Sequence, residues 1–170
     1  GAIKCLLEHN YKFRYFAGSS IGSLVCAMIA YGYTPDELIE LMYKHDIINK
    51  KDIDITMLFE NFGIDDGKTF KEFLFRSLKN ITFKDLYVKN GNVLIVTAYN
   101  IDTMQTEYFN KQTTPDMLIV DAVCMSCALP ILMTFKTYNG YRYMDGCIDD
   151  DLPYRSLSTY TTFDKILGLV

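Results

Sequence analysis

Among the side chains able to do chemistry, the clearest grouping is Gly18-Ser19-Ser20-Ile21-Gly22, a G-x-S-x-G pentapeptide. Ser20 at its centre is a candidate nucleophile. A serine on a tight turn between a strand and a helix has its hydroxyl exposed in a strained conformation. Gly18 and Gly22 would remove side chains that clash in such a turn. The helix that follows would aim free N–H groups and its positive dipole end at a developing oxyanion. A serine hydroxyl also needs a base. The histidines are His9 and His45, so the late histidine of a Ser–acid–His triad has no counterpart. Either a carboxylate takes the proton directly or the serine is inert. Asp145 is the candidate base. It ends Tyr141-Arg142-Tyr143-Met144 and precedes Gly146, which leaves room for a close approach. The plainer readings are a strand–turn–helix corner at 18–22 and a turn-forming Asp-Gly at 145–146. Asp149-Asp150-Asp151 reads as a solvated loop whose field could also raise a neighbouring carboxylate's pKa.

These residues need elements to position them. Apolar spacing predicts a helix over 2–10, and alternation predicts a short strand over 12–17. A turn at 18–22 leads to a small-residue, buried helix over 23–31. Thr34-Pro35-Asp36-Glu37 is a helix start, with a capping Thr, Pro at the first position and acids at the positive dipole end. That helix runs to about His45, and residues 47–66 stay open. A helix over 70–78 and a capped turn at Thr82 precede Val93-Leu94-Ile95-Val96. That run reads as a strand over 92–99 covered on both faces. A shorter strand over 106–109 follows. Thr114-Pro115-Asp116 is expected to start a helix ending near Ala128. Asn139-Gly140 is a strong hairpin signal between strands at 134–138 and 141–144. Residues 165–170 read as a last strand. Helices alternating with strands predict an α/β fold whose sheet is mostly parallel, with one antiparallel hairpin.

Composition narrows the function classes. The chain has 170 residues, which is one domain's worth, 1–170. It is 49% hydrophobic with a net charge of −4, and no Lys or Arg run exceeds Lys50-Lys51. Nucleic acid is therefore not an expected partner. The five cysteines are Cys5, Cys26, Cys124, Cys127 and Cys147. Cys124-x-x-Cys127 has redox or metal spacing, but no second pair or histidine cluster completes a zinc site. They read as buried, reduced thiols of a cytoplasmic protein. The most apolar stretch, 117–133, holds Asp121 and Pro130 and is too short to span a membrane, so it reads as a buried helix. No signal peptide is visible.

Several motifs then occur in family order. They are Gly18-Ser19-Ser20-Ile21-Gly22, Thr82-Phe83-Lys84-Asp85-Leu86, Asp121-Ala122-Val123-Cys124-Met125-Ser126-Cys127-Ala128-Leu129-Pro130 and Asp145-Gly146. The sequence resembles the patatin-like phospholipase family. The third motif matches that family's D-A-x-x-x-S-x-A-x-P stretch. The resemblance implies a three-layer α/β/α fold and serine acyl hydrolysis by a Ser–Asp dyad rather than a triad. Ser20 is then the nucleophile and Asp145 the general base. It implies a lipid substrate such as a phospholipid or acylglycerol, a peripheral membrane or lipid surface as partner, and no cofactor or metal. The chain departs from the pattern at Cys147, where the family usually has Gly or Ala, and at Asp151, where Asn is common. The family's D-G-G-G-x-[RK]-G oxyanion loop and first strand lie upstream of a segment resembling 1–8. The chain is therefore expected to be a fragment lacking both. One lost oxyanion donor costs about 2.7–4 kcal/mol. The alternative is an inactive patatin-like module that binds lipid or protein.

Overall fold

The computed structural model describes residues 1–44 and 63–169. The chain opens with α1 (Ala2–Glu8), followed by β1 (Tyr15–Gly18), α2 (Ser20–Tyr31) and α3 (Pro35–Lys44). Then come β2 (Gly63–Asp65), α4 (Lys68–Leu78), α5 (Phe83–Asn90), β3 (Val93–Asn100) and β4 (Gln105–Asn110). The last part holds α6 (Ile119–Ser126), β5 (Ile131–Met133), β6 (Lys136–Tyr138) and β7 (Tyr141–Asp145). The sequence signals for α3 and α5 act as read. Thr34 and Glu37 exchange side-chain and backbone hydrogen bonds, and Thr82 and Asp85 form a full capping box. The expected end of α3 at His45, and most of 47–66, lie outside the described residues.

The α/β reading holds, and the ladder makes the sheet mixed rather than mostly parallel. β1 runs parallel to the first half of β3, from Tyr15 opposite Val93 to Gly18 opposite Val96. β7 runs antiparallel to the second half, with Asp145 opposite Ala98 and Tyr143 opposite Asn100. β4 covers Ile95 to Asn100 along β3's other edge, so β1 and β7 share one edge end to end. Their C-terminal ends point at each other across Thr97. β6 extends the sheet beyond β7, and β2 pairs with β5 separately.

β3 is the buried spine, with Val93 to Ala98 all within the interior. Helices α2, α4 and α6 pack on one another, and α2 and α6 also pack on β3. Leu24, Met28, Leu74, Val120 and Val123 fill the space between them. Burying such side chains contributes roughly 1.5–3 kcal/mol each. Among the described residues, no helix is long and apolar enough to cross a membrane.

Three local expectations change. First, no helix starts at Thr114. Residues 114–117 instead turn against the start of α5, where Phe83 N–H donates to Met117 O and Lys84 N–H donates to Pro115 O. Ile119 N–H then donates to Ile81 O, and α6 begins only there. Second, the apolar stretch 117–133 is not one buried helix. Its helix ends at Ser126, Ile131 sits at φ +73°, and Ile131 and Leu132 are exposed. Third, 166–169 make no strand; Ile166, Leu167 and Leu169 line an apolar cavity of about 310 Å³ beside β1. Gly168 interrupts that short run, and Gly weakens a strand.

Candidate active site

Ser20 lies where β1 gives way to α2, with only Ser19 between the two elements. The turn is thus tighter than the expected 18–22. A side chain at Gly18 is impossible without rearrangement: a Cβ there would lie 2.6 Å from the backbone of Gly22 and Ser23. A Cβ at Gly22 would meet nothing within 4 Å. The expected steric need for glycine therefore holds at Gly18, which faces the backbone of α2's first turn, and not at Gly22, whose own Cβ position faces open space.

Ser20 itself adopts φ +50°, the left-handed region. A non-glycine residue there stores strain of about 1–3 kcal/mol and persists only where its surroundings hold it. Three contacts do so. The Ser20 N–H donates to Ser126 Oγ at 2.9 Å. Ser23 Oγ donates to the Ser20 carbonyl at 2.6 Å. Ser23 N–H donates to the Ser19 carbonyl at 3.2 Å.

Asp145 arrives from the opposite direction, as the last residue of β7. The strand pairing described above leaves it two positions beyond Gly18 along β3. Its carboxylate is fully buried. Oδ2 accepts from Ser20 Oγ at 2.6 Å, and Oδ1 accepts from the Cys147 N–H at 3.0 Å. Its own N–H donates to Ala128 O at 3.0 Å. Gly146 passes so close to β3 that a Cβ would lie 2.4 Å from Thr97 Oγ1 and 2.8 Å from Ser19 Oγ. Those two hydroxyls are buried with no hydrogen-bond partner among the described residues.

The loop after the base is tied down. Thr106 Oγ1 donates to Asp149 Oδ2 at 2.6 Å, and Tyr108 OH donates to Asp150 Oδ2 at 2.7 Å. Two of the three acids in the run thus anchor the loop to β4, while Asp149 and Asp151 stay exposed as a solvated loop would have them. Burial and the Asp150 carboxylate push the Tyr108 hydroxyl up to about 12. His9 takes no part: it is exposed, and its Nδ1 contacts the Cys5 carbonyl on its own helix. His45 lies outside the described residues.

All five cysteines are free, but they are not uniformly buried as expected. Cys5 and Cys147 are exposed. Burial raises Cys124 to about 12, and it also pushes Cys127 upward. Neutral thiols of this kind are poor nucleophiles and poor metal ligands. Among the described residues, no group of His, Cys, Asp or Glu is arranged to hold a metal ion.

Ser126 lies within the third motif, where spacing alone assigns it no task. Its contact with Ser20 spans two elements far apart in sequence, so only the tertiary fold reveals it. Within the motif, Asp121 forms an ion pair with Lys71 at 2.8 Å, which ties α6 to α4.

A serine hydroxyl bonded to a buried carboxylate, at the rim of an α/β sheet and the start of a helix, is an arrangement suited to acyl transfer. The comparisons with known proteins agree in class. A patatin-like phospholipase family model matches residues 1–158, and the chain belongs to that family. It is 32% identical over 164 residues to the "Probable lipid hydrolase 463L" of Invertebrate iridescent virus 6, covering 90% of this chain and 56% of that protein. It is 27% identical over 198 residues to triacylglycerol lipase 4 of Saccharomyces cerevisiae, covering 99% of this chain and 22% of the lipase. The fold resembles that of VipD from Legionella pneumophila, with a TM-score of 0.64 at 16% identity. That likeness covers 87% of this chain and 43% of VipD. The chain spans little more than half the length of the viral lipid hydrolase it matches.

Proposed function

We propose that this protein is a lipid acyl hydrolase that works through an acyl-Ser20 intermediate, with Asp145 as its general base. The observation that carries the reading is the 2.6 Å hydrogen bond from Ser20 Oγ to a fully buried Asp145 carboxylate. In the first half-reaction Ser20 Oγ attacks the ester carbonyl as its proton passes to Asp145 Oδ2. The tetrahedral intermediate collapses, the C–O bond to the alcohol breaks, and the alcohol leaves with that proton. In the second half Asp145 takes a proton from water, and hydroxide attacks the acyl-serine. The free acid departs as Ser20 recovers its hydrogen. Each step balances with Ser20, Asp145, ester and water.

The N–H groups of Ile21 and Gly22 stand in the first turn of α2, where a helix offers no internal acceptor. Together with the helix dipole they can stabilise a developing oxyanion, alongside the glycine-rich loop that the family resemblance implies. Acylglycerols and phospholipids are the substrate classes of this proposal, met at a lipid surface from the cytoplasm. Five unpaired cysteines suit a reducing compartment.

The test is ester turnover by the full-length protein, on a triacylglycerol emulsion and on phospholipid vesicles, with Ser20→Ala in parallel. Turnover and fluorophosphonate labelling at Ser20 are expected in the wild type and absent from Ser20→Ala. Turnover that survives Ser20→Ala overturns the mechanism. Lipid binding without turnover in the wild type would instead identify a binding module.

A further inference from the structure

We infer that Ser126 is a positioning residue that holds Ser20 in its left-handed conformation, and that residues 126–128 form a bracket setting the distance between Ser20 and Asp145. The inference rests on the Ser20 and Asp145 reading above. A backbone φ and ψ are fixed when the peptide planes on both sides of the Cα are fixed. At Ser20 both are. The preceding plane is pinned by its N–H donating to Ser126 Oγ at 2.9 Å, and the following plane by its carbonyl accepting from Ser23 Oγ at 2.6 Å. The Ser20 N–H stands at a helix start and has no intrahelical acceptor, so an acceptor must come from elsewhere in the fold. Ser126 Oγ is that acceptor, and Ser126 is fully buried.

The same short segment also holds the other partner. Two residues after Ser126, the Ala128 carbonyl accepts the Asp145 N–H at 3.0 Å. Between them, Cys127 Sγ lies 3.9 Å from Ser23 Oγ. Three consecutive residues therefore touch the elbow, its stabilising serine and the end of β7. The segment has little freedom of its own. Cys127 N–H donates to Val123 O and Ala128 N–H to Met125 O, continuing the turn of α6. That helix is buried along its length and ion-paired to α4 through Asp121 and Lys71. The elbow and the base strand thus share one rigid reference.

If Ser126 loses its hydroxyl, the plane before Ser20 is released and Oγ drifts from Asp145. A displacement near 1 Å costs about a hundredfold in rate, and it should appear in kcat and leave KM little changed. The experiment compares full-length wild type, Ser126→Ala, Ser126→Cys, Ser126→Thr and Ser20→Ala. The readouts are the rate of fluorophosphonate labelling at Ser20, kcat and KM for a short-chain ester, and thermal melting. Ser77→Ala is the structural control. It removes another buried hydroxyl, one that donates to Phe73 O far from the elbow. Labelling and kcat should fall roughly ten- to a hundredfold in Ser126→Ala. Ser126→Cys keeps the size but offers a poor acceptor, so it should fall similarly. Ser126→Thr keeps the oxygen and should recover much of the rate. Ser77→Ala should melt earlier yet label at the wild-type rate. Wild-type labelling in both Ser126→Ala and Ser126→Cys, with Ser20→Ala inert, overturns the positioning role and leaves the dyad standing. Labelling or turnover that persists in Ser20→Ala overturns the dyad itself.

Discussion

The elbow at Ser20 and the turn at Asp145 bring their side chains to the same bond under different constraints. At the elbow the backbone is strained: Ser20 holds φ +50°, and only one residue separates the end of a strand from the start of a helix. At the turn the backbone is ordinary, with Asp145 at φ −51°, and the cost lies in burying a carboxylate completely. Each region depends on one glycine for close approach, Gly18 against the start of α2 and Gly146 against Thr97 of β3. The elbow is held from within by Ser23 and from outside by Ser126. The turn is held by the Cys147 N–H and by the two hydroxyls of β4 that grip the acids beyond it. The contrast separates two kinds of sensitivity. Chemistry should be most fragile at the side chains, and folding most fragile at the glycines.

The largest effect should come from removing the charge without changing the shape. Asp145→Asn can still accept the Cys147 N–H and still contact Ser20, but it cannot take a proton. Ester turnover in the full-length protein should fall by about 10²–10⁴. Melting should change little, since a buried neutral amide costs less than a buried charge. Near-wild-type turnover in Asp145→Asn would reassign the base.

Next come the glycines, read by thermal melting. Gly18→Ala and Gly146→Ala place a methyl against backbone or a β3 hydroxyl and should each destabilise by about 1–3 kcal/mol or more. Gly22→Ala meets open space inside a helix and should be neutral or stabilising by up to about 1 kcal/mol. Equal losses at Gly18 and Gly22 would mean that the elbow packs differently. A tolerated Gly146→Ala would mean the same of the turn at β3.

The sequence made Ser20 and Asp145 readable for a physical reason. G-x-S-x-G, the apolar run of β3 and Asn139-Gly140 are local signals, and each is answered by local geometry. Asn139 and Gly140 do adopt positive φ, +48° and +83°. Thr34 and Thr82 cap helices because a cap acts within one turn. Thr114-Pro115-Asp116 looks like the same signal and fails, because pairing with residues 81–84 claims that backbone first. Ser126 was not readable for the converse reason. It packs as a small helix residue, and its partner lies 106 positions away. The mixed sheet was hidden likewise. β7 could be read as part of a hairpin, but nothing local says that it shares an edge of β3 with β1.

A smaller effect is expected at the anchors of the base loop. Thr106→Val and Tyr108→Phe each remove a hydroxyl that holds an acid to β4. Each should cost about 0.5–1.5 kcal/mol in thermal or urea unfolding. Turnover should decline only modestly, because Asp145 keeps its own contacts. If either variant matched Asp145→Asn in lost turnover, the loop rather than the strand end would position the base.

The smallest effect reports on charge at the site. Cys147 is exposed, yet its thiol is pushed up to about 11. Partial burial is the leading cause, followed by the hydrogen bond to Asp145 and the charge of that carboxylate. A raised thiol pKa keeps the neutral form, and only the thiolate reacts with alkylating agents. At pH 8 iodoacetamide should therefore modify Cys147 slowly despite its exposure. In Asp145→Asn the burial remains but the neighbouring charge is gone, so the pKa should fall part of the way back. Alkylation at a fixed pH should then quicken several-fold, and the rate should rise at lower pH than in the wild type. Cys5→Ser removes the other exposed thiol from the background, and peptide mass spectrometry reads the site directly. Unchanged alkylation in Asp145→Asn would mean that the carboxylate does not act on this thiol. The turn at Asp145 would then be more open than the tightly bonded elbow across from it.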